Sequence, residues 1–233
     1  MIQFPSDFEK PELGPWPVWC NSLIDLGTQV GAFAGKPTQS HKIAIGWELP
    51  TQLSKRVPNV GSPMLLRSTM TATMGVKASL RALITGWRGS VFSDDKEAYQ
   101  WVDESLHKIV GRPGTAMLTL SDNGEHVNVS SVSSAPKPVT FPKMRSEAVF
   151  FSLHPLLWNV PSADDIEKLS EAKKASVAEI IKVYGPMKAM FERLPTRTKE
   201  KIALSPEFKQ LQSGSSPTSQ PDVEDNHDDD VPF

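Results

Sequence analysis

The chain has 233 residues, enough for one domain with extensions or for two small domains. Its formal net charge of −2 neither requires nor excludes a polyanionic ligand. A single cysteine, Cys20, excludes a disulfide within the chain, and no stretch approaches the roughly 18 apolar residues of a membrane span. Because no basic segment followed by an apolar run opens the sequence, we expect no signal peptide and a cytoplasmic location.

The charge is divided unevenly along the chain. Six acidic side chains lie in residues 213–233, a stretch that contains no Lys or Arg. Residues 1–212 therefore hold 25 basic and 21 acidic side chains, a net charge of about +4. A basic body with an acidic tail can carry potentials of opposite sign on one molecule. The Ser, Pro, Gln and acidic composition of 213–233 predicts a disordered tail.

The first half of the chain reads mainly as strands. Residues 1–15 are Pro-rich, and we interpret them as an N-terminal arm. Alternation of apolar and polar residues predicts strands at 18–27, 41–49 and 64–73. The glycines and small polar residues of 28–40 predict a flexible hairpin loop between the first two strands.

Helices and a hairpin follow the third strand. Apolar residues at helical spacing predict a helix over 76–87 that stops at Gly89, and a second helix over 94–110. Strands at 115–120 and 125–132 flank an Asn-Gly pair, which is typical of a tight hairpin turn.

The resulting order over residues 16–136 is β-β-β-α(α)-β-β, the strand and helix order of the OB-fold. We therefore predict an α+β fold, mainly β, built on a five-stranded OB-fold barrel. Order alone does not determine barrel closure, so another small α+β sheet stays open as an alternative. Residues 137–212 begin with a Pro-rich segment and continue with helices over 162–184, around 187–194 and over 198–204. We expect this helical C-terminal extension to pack on the barrel.

The chain ends in three carboxylates, two apolar residues and an aromatic ring: Asp228, Asp229, Asp230, Val231, Pro232 and Phe233. A solvated terminus has no structural need for a bulky aromatic side chain. A Phe after an acidic run is typical of a peptide that docks into a pocket with basic walls. A random acidic tail is the alternative interpretation.

These features resemble those of bacteriophage single-stranded-DNA-binding proteins with one OB-fold and an acidic tail. The resemblance rests on residues 23–27, 42–50 and 80–89 and on the tail, which is similar to the Asp-Asp-Asp-Ile-Pro-Phe ending of the bacterial proteins. It implies a protein that coats single-stranded DNA without sequence preference during phage replication, recombination or repair in the bacterial host cell. It also implies that the acidic tip recruits replication and repair proteins. Residues 137–212 have no counterpart in the bacterial proteins, so their tetrameric state does not carry over.

A protein that coats single strands needs aromatic surfaces for bases and a cationic track for phosphates. We predict these contacts from the following residues: Trp16, Trp19, Phe33, Lys36, Lys42, Lys55, Arg56, Arg67 and Lys77. Trp19 is the strongest stacking candidate because it lies opposite the apolar face of its strand, and burial under the extension is the alternative. Small residues on the second strand, Ala44 and Gly46, would let a flat ligand approach the sheet. Three further tryptophans are assigned to the core: Trp47, Trp87 and Trp101.

No motif in the sequence indicates catalysis. The five histidines are scattered and make no metal-binding spacing with Cys20, and there is no phosphate-binding loop or nucleophile motif. We therefore expect neither an enzyme nor a metal or cofactor site. Two other functions stay open: a DNA-binding protein that also accepts duplex DNA, and a protein–protein adaptor with an OB-like barrel.

Overall fold

The computed structural model describes residues 9–33, 35–135 and 141–213. Its body is a mainly antiparallel sheet of six strands: β1 (Gly14–Phe33), β2 (Lys36–Leu53), β3 (Pro63–Thr71), β4 (Pro113–Leu120), β5 (Val127–Ser134) and β6 (Val149–Phe151). The strand order is β3-β2-β1-β4-β5, and β6 pairs in parallel with β1. In the described part of the chain no ladder joins β3 to β5, although Cα atoms of these strands come within 8 Å. The predicted class, mixed and mainly β, is confirmed, whereas a closed barrel is not formed by these hydrogen bonds.

Helices fill the connection from β3 to β4 and the region after β6. The first group is α1 (Ser79–Arg88), α2 (Asp95–Ser105) and a 3-10 helix (Leu106–Ile109). The second group is α3 (Pro155–Trp158), α4 (Ala163–Glu167), α5 (Glu171–Tyr184), α6 (Met187–Arg193), α7 (Thr196–Leu204) and α8 (Pro206–Ser213). Within the described ranges, none of these helices has the length and apolar character needed to cross a bilayer.

The first two strands are longer than the sequence pattern predicts. β1 begins at Gly14, inside the predicted arm, and its first residues pair with β4. At its other end, β1 pairs with β2 through the predicted loop, as far as Phe33 opposite Lys36. Local composition marks 28–40 as a loop, but pairing across the hairpin satisfies its backbone groups whatever the side chains are.

Two β-bulges in β1 overturn the simple alternation expected there. The register shifts once after Cys20 and again after Asp25. Each extra residue reverses the side of the sheet to which the following side chains point. The neighbours Leu23 and Ile24 are both buried, so this strand is covered on both faces.

Helix α1 packs its predicted apolar stripe on the sheet. The buried residues of this stripe are Leu80, Leu83, Ile84 and Trp87. The helix stops as predicted at Gly89, whose left-handed φ of +70° lets its N–H donate to the carbonyl of Thr85. The Trp87 indole stacks on the fully buried Trp47 with 5.3 Å between ring centroids. Both tryptophans therefore belong to the core, as expected from the sequence.

The predicted helix over 162–184 is two helices, α4 and α5. Ser162 caps α4 by accepting a hydrogen bond from the Asp165 N–H. Ser170 caps α5 in the same way by accepting from the Lys173 N–H. A second N-cap inside a helical pattern breaks the helix because the serine side chain competes for backbone donors.

The extension after β5 covers the face of β1 and β2 opposite α1. Glu48 of β2 is fully buried and accepts hydrogen bonds from the backbone N–H groups of Arg145 (2.8 Å) and Ser146 (2.6 Å). Asp25 of β1 accepts one from the Leu153 N–H at 3.1 Å. The extension therefore packs on the sheet as predicted. Carboxylates of the strands stabilise this packing by accepting hydrogen bonds from backbone N–H groups of the extension.

Gly27 of β1 lies against the junction of α7 and α8. Its φ is +69°, and a Cβ at this position would lie 2.5 Å from the Cβ of Ser205 and 2.8 Å from Cδ1 of Leu153. Ser205 is fully buried. Only glycine has both the backbone freedom and the lack of a side chain that this approach requires.

A polar cluster joins α8 to the first hairpin. His41 Nε2 lies 2.7 Å from Asp25 Oδ1, its Nδ1 lies 3.5 Å from Glu207, and the Thr28 N–H donates to Glu207. Burial opposes protonation of His41, but hydrogen bonds with Asp25 and Glu207 outweigh it and raise the pKa of the imidazole to about 10. Burial likewise opposes ionisation of Glu207, but hydrogen bonds from His41 and Thr28 lower its pKa to about 2. A charged histidine thus lies between two carboxylates.

Replacing Gly27 with alanine should destabilise the fold through overpacking. The matched control is Gly124→Ala, at a turn glycine with φ +66° and nothing within 4 Å of an added Cβ. The backbone cost is similar at the two sites, so the difference reports the contact with Ser205. We expect G27A to lower the free energy of unfolding by about 1–3 kcal/mol more than G124A in urea titrations. Equal losses would contradict the close approach.

The stabilisation contributed by His41 should depend on pH. Its pKa is raised above the ordinary value of 6.5, so the contribution is complete below pH 6.5 and is lost as the pH rises to about 10. The stabilisation contributed by Glu207 has the opposite pH dependence, because its pKa is lowered. This stabilisation is complete above pH 4.5 and is lost as the pH falls to about 2. The stability advantage of wild type over His41→Gln should therefore be largest between pH 4.5 and 6.5 and shrink towards pH 10. His126→Gln, at an exposed turn residue, is the control, and an advantage that stays constant with pH would contradict the cluster.

Candidate nucleic-acid interface

The sheet face expected to admit a flat ligand is occupied by the chain itself. Ala44 and Gly46 of β2 are buried, and a Cβ on Gly46 would lie 2.1 Å from the hydroxyl oxygen of Ser22. The small residues on this face let the bulged β1 approach β2 closely. The interpretation that they leave room for a ligand is therefore wrong.

The predicted aromatic contacts on β1 are partly covered. The Trp19 indole is partly buried and donates to the carbonyl of Pro142 at 2.7 Å, so the extension lies over it. Trp16 is also partly buried, packs against the core and donates to the carbonyl of Leu13 at 3.2 Å. Both rings keep some exposed surface. The side chain of Phe33 lies outside what the structure describes.

Two of the predicted basic residues make hydrogen bonds within the fold. Lys42 donates from Nζ to the hydroxyl of Thr71 at 2.7 Å, which ties β2 to β3. Arg67 of β3 donates to the hydroxyl of Thr198 at 3.1 Å, which ties β3 to α7. Both side chains therefore join elements of the fold, although Lys42 is partly buried and Arg67 is exposed.

The other predicted basic residues lie on exposed connections. Lys36 begins β2 beside the tip of the first hairpin, and Lys77 lies between β3 and α1. Lys55 and Arg56 lie in the β2–β3 loop, and both are exposed. The structure thus separates the predicted track into several places and does not line it along one strand face.

The β2–β3 loop gathers a third cation that the sequence does not reveal. The Arg145 guanidinium, which comes from the extension, donates to the carbonyl of Gly61 in this loop at 3.1 Å. We call residues 54–62 with Arg145 the basic loop. Among the described residues, the Glu9 carboxylate opposes this charge, because it accepts from the Lys55 N–H at 2.9 Å. The three cations still outnumber this carboxylate at the loop.

A cleft of about 350 Å³ opens where the end of α1, the α2 region and the start of β4 meet. We call it the aromatic cleft, and its main groups are two indoles and three cations: Trp87, Trp101, Arg88, Lys108 and Arg112. Trp101 is partly buried, so its assignment to the core is only half right. No carboxylate lines the cleft within the described ranges. The sequence pattern does not predict this site, because both tryptophans lie on apolar helical stripes that are typical of core residues. The Trp87-Arg88 pair at the end of α1 is a local feature that could have indicated it.

Arg88 is the most constrained cation of the aromatic cleft. Its guanidinium carbon lies 4.1 Å from the centroid of the Phe92 ring and 5.8 Å from that of Trp101. Its Nη2 donates to Glu97 at 3.1 Å. Its Nη1 is buried and has no hydrogen-bond acceptor among the residues that the structure describes. A buried donor without a partner costs free energy.

A second cavity, of about 220 Å³, lies between the sheet and helices α2, α3 and α5. Its lining is mainly apolar, with three histidines and the ion pair between Asp103 and Lys173. Burial lowers the pKa of His107 and of His154, which favours their neutral forms. The described part of the chain holds no group of three or more His, Cys, Asp or Glu side chains that could bind a metal ion.

The exposed cations and partly exposed indoles supply the chemistry for phosphates and bases, respectively. Neither a protein-family model, nor a curated protein, nor a solved structure matches this chain.

Proposed function

We propose that the protein binds single-stranded DNA without sequence preference and recruits protein partners through its acidic C-terminal tip. The observation that carries the proposal is the strand order β3-β2-β1-β4-β5, with α1 placed between β3 and β4. An OB-fold that is open between its third and fifth strands would have this order, and OB-folds are partly open barrels that bind oligonucleotides. The sheet is then an OB-fold in which 141–213 covers part of the outer face.

The phosphate contacts are assigned first to the basic loop. Lys55 and Arg56 are exposed there, and Arg145 adds a third positive charge. Each cation that neutralises a phosphate releases condensed counterions, which favours binding most strongly at low salt. Lys36 at the first hairpin is assigned to the same strand of DNA, because that loop of an OB-fold contacts its ligand.

A single strand suits this surface better than a duplex. Partly exposed indoles such as those of Trp16 and Trp19 can stack on unpaired bases, because every unpaired base presents a free π-face. Bases inside a duplex are already stacked on one another. Stacking also needs no particular base, which supports binding without sequence preference.

The tail provides the second half of the proposal. Helix α8 ends at Ser213, the first residue of the predicted tail, and residues 214–233 lie outside the described residues. The tip, Asp228 to Phe233, combines carboxylates with a terminal aromatic ring, which suits a basic pocket on a replication or repair protein. Its negative charge also lets it compete with DNA for the cations of the body.

Titration with oligo(dT) tests the DNA-binding half. We expect quenching of tryptophan fluorescence, a steep salt dependence, and weaker binding to duplex DNA of equal length. The double variant Lys55→Gln/Arg56→Gln should bind more weakly, with a log–log salt slope that is less steep by about 1.4, or about 0.7 per lost phosphate contact. The control is Lys182→Gln/Lys188→Gln, which removes two exposed lysines from α5 and α6. Absence of binding to oligo(dT) would favour an adaptor, and equal affinity for duplex DNA would favour an architectural protein.

Removal of residues 214–233 tests the competition by the tail. The shortened chain should bind oligo(dT) more tightly, by a few-fold at low salt, because exposed ion pairs contribute about 0.2–1 kcal/mol each and are screened by salt. The control is Phe233→Ala in the full chain, which keeps all six acidic side chains of the tail. This variant should bind DNA like the wild type while losing its protein partners. Unchanged DNA affinity after removal of the tail would contradict the competition.

A further inference from the structure

We infer that the aromatic cleft binds one nucleotide unit of a single strand, with a base against Trp101 and the adjoining phosphate at Lys108 and Arg112. The inference rests on the proposed function and adds a contact point on elements other than the basic loop. It assigns a role to side chains that the sequence pattern placed in the core or left as ordinary surface charges.

The floor of the cleft is aromatic and firmly held. Trp101 is partly exposed, while Trp87 is anchored in the core by its stack on Trp47, with an interplanar angle of 21°. Phe92 packs edge-on against Trp101 with 6.2 Å between ring centroids. A floor that is already ordered loses little conformational entropy when a base stacks on it.

The charge of the cleft suits a phosphate. Three cations line it, and Glu97 pairs with one of them, Arg88. Lys108 and Arg112 are both exposed, and Arg112 Nε donates to the carbonyl of Lys108 at 3.3 Å, which places the two residues side by side. The volume of about 350 Å³ falls in the range of about 300–1,000 Å³ that is typical of small-molecule sites.

The Arg88 guanidinium is held in a fixed position at the cleft. The guanidinium cannot easily turn away to find an acceptor, because Phe92 packs on its face and Glu97 accepts from Nη2. The Glu97 carboxylate also accepts from the Ser93 N–H at 2.6 Å, and the Glu97 N–H donates to the Asp94 carboxylate at 2.7 Å. The cation is therefore held in position before a phosphate binds nearby, which reduces the entropy lost on binding.

An acidic peptide is the main competing occupant, since the tip of this chain also combines carboxylates with an aromatic ring. A phenylalanine anchor favours an enclosed pocket. The cleft is an open groove, and a continuous strand needs such a groove in order to enter and leave on both sides. The shape therefore favours a nucleotide within a strand over a peptide terminus.

Photo-crosslinking and variants of the full chain test the inference. Oligo(dT) carrying 5-iododeoxyuridine should crosslink to Trp101 on irradiation, as identified by peptide mass mapping. Lys108→Gln/Arg112→Gln should make the log–log salt slope of oligo(dT) binding less steep by about 1.4 relative to Lys182→Gln/Lys188→Gln. Trp101→Ala should weaken binding at least about fivefold, and the charge variant keeps the test decisive if the alanine variant misfolds.

The outcomes separate this inference from the proposed function. If wild type binds oligo(dT), but the Lys108/Arg112 variant matches its control and the crosslink maps elsewhere, the cleft inference is overturned and the proposed function stands. If wild type does not bind oligo(dT), the proposed function is contradicted, and the cleft inference that rests on it is overturned as well. Crosslinking at Trp101 by a photoreactive peptide of residues 225–233, with none by oligo(dT), would assign the cleft to the tip and overturn the inference.

Discussion

The carboxylate of Glu48 is the interaction on which the arrangement of this protein depends. It lies fully buried on a central strand, and its oxygens accept from the N–H groups of Arg145 and Ser146 and from the Ser146 hydroxyl. A buried carboxylate is costly unless hydrogen bonds replace its hydration. The sheet therefore needs the extension to cover this residue, and the extension needs the carboxylate to satisfy its own backbone donors. This mutual requirement makes 141–213 part of the folded body.

The same principle repeats along the covered face. Asp25 accepts from the Leu153 N–H, and it shares a protonated His41 with Glu207 of α8. At Gly27 the α7–α8 junction approaches the strand directly, because this residue has no side chain. Because the chain itself covers much of this face, the proposed DNA contacts lie mainly at its margins, in the basic loop, on the first hairpin and in the aromatic cleft.

Structural roles and proposed binding roles meet in single residues. Arg145 lies next to Ser146, so the segment that closes the sheet over Glu48 also brings a cation to the basic loop. Trp87 faces Trp47 in the core and also lines the aromatic cleft. A binding surface supported directly by the core is held in place before the ligand arrives, which reduces the entropy lost on binding.

Local features were determined by the sequence alone. The apolar stripe of α1, its stop at Gly89 and the N-cap at Ser162 are set by residues within a few positions of one another, so their pattern can be read directly. The tertiary structure decided the rest: the two bulges of β1, the closed face over Ala44 and Gly46, and the partly exposed ring of Trp101. These features depend on which distant segments meet. A bulge reverses the side of the sheet to which every later side chain in the strand points, and the burial of a residue depends on the element that packs over it. Neither effect can be predicted from the local spacing of apolar residues.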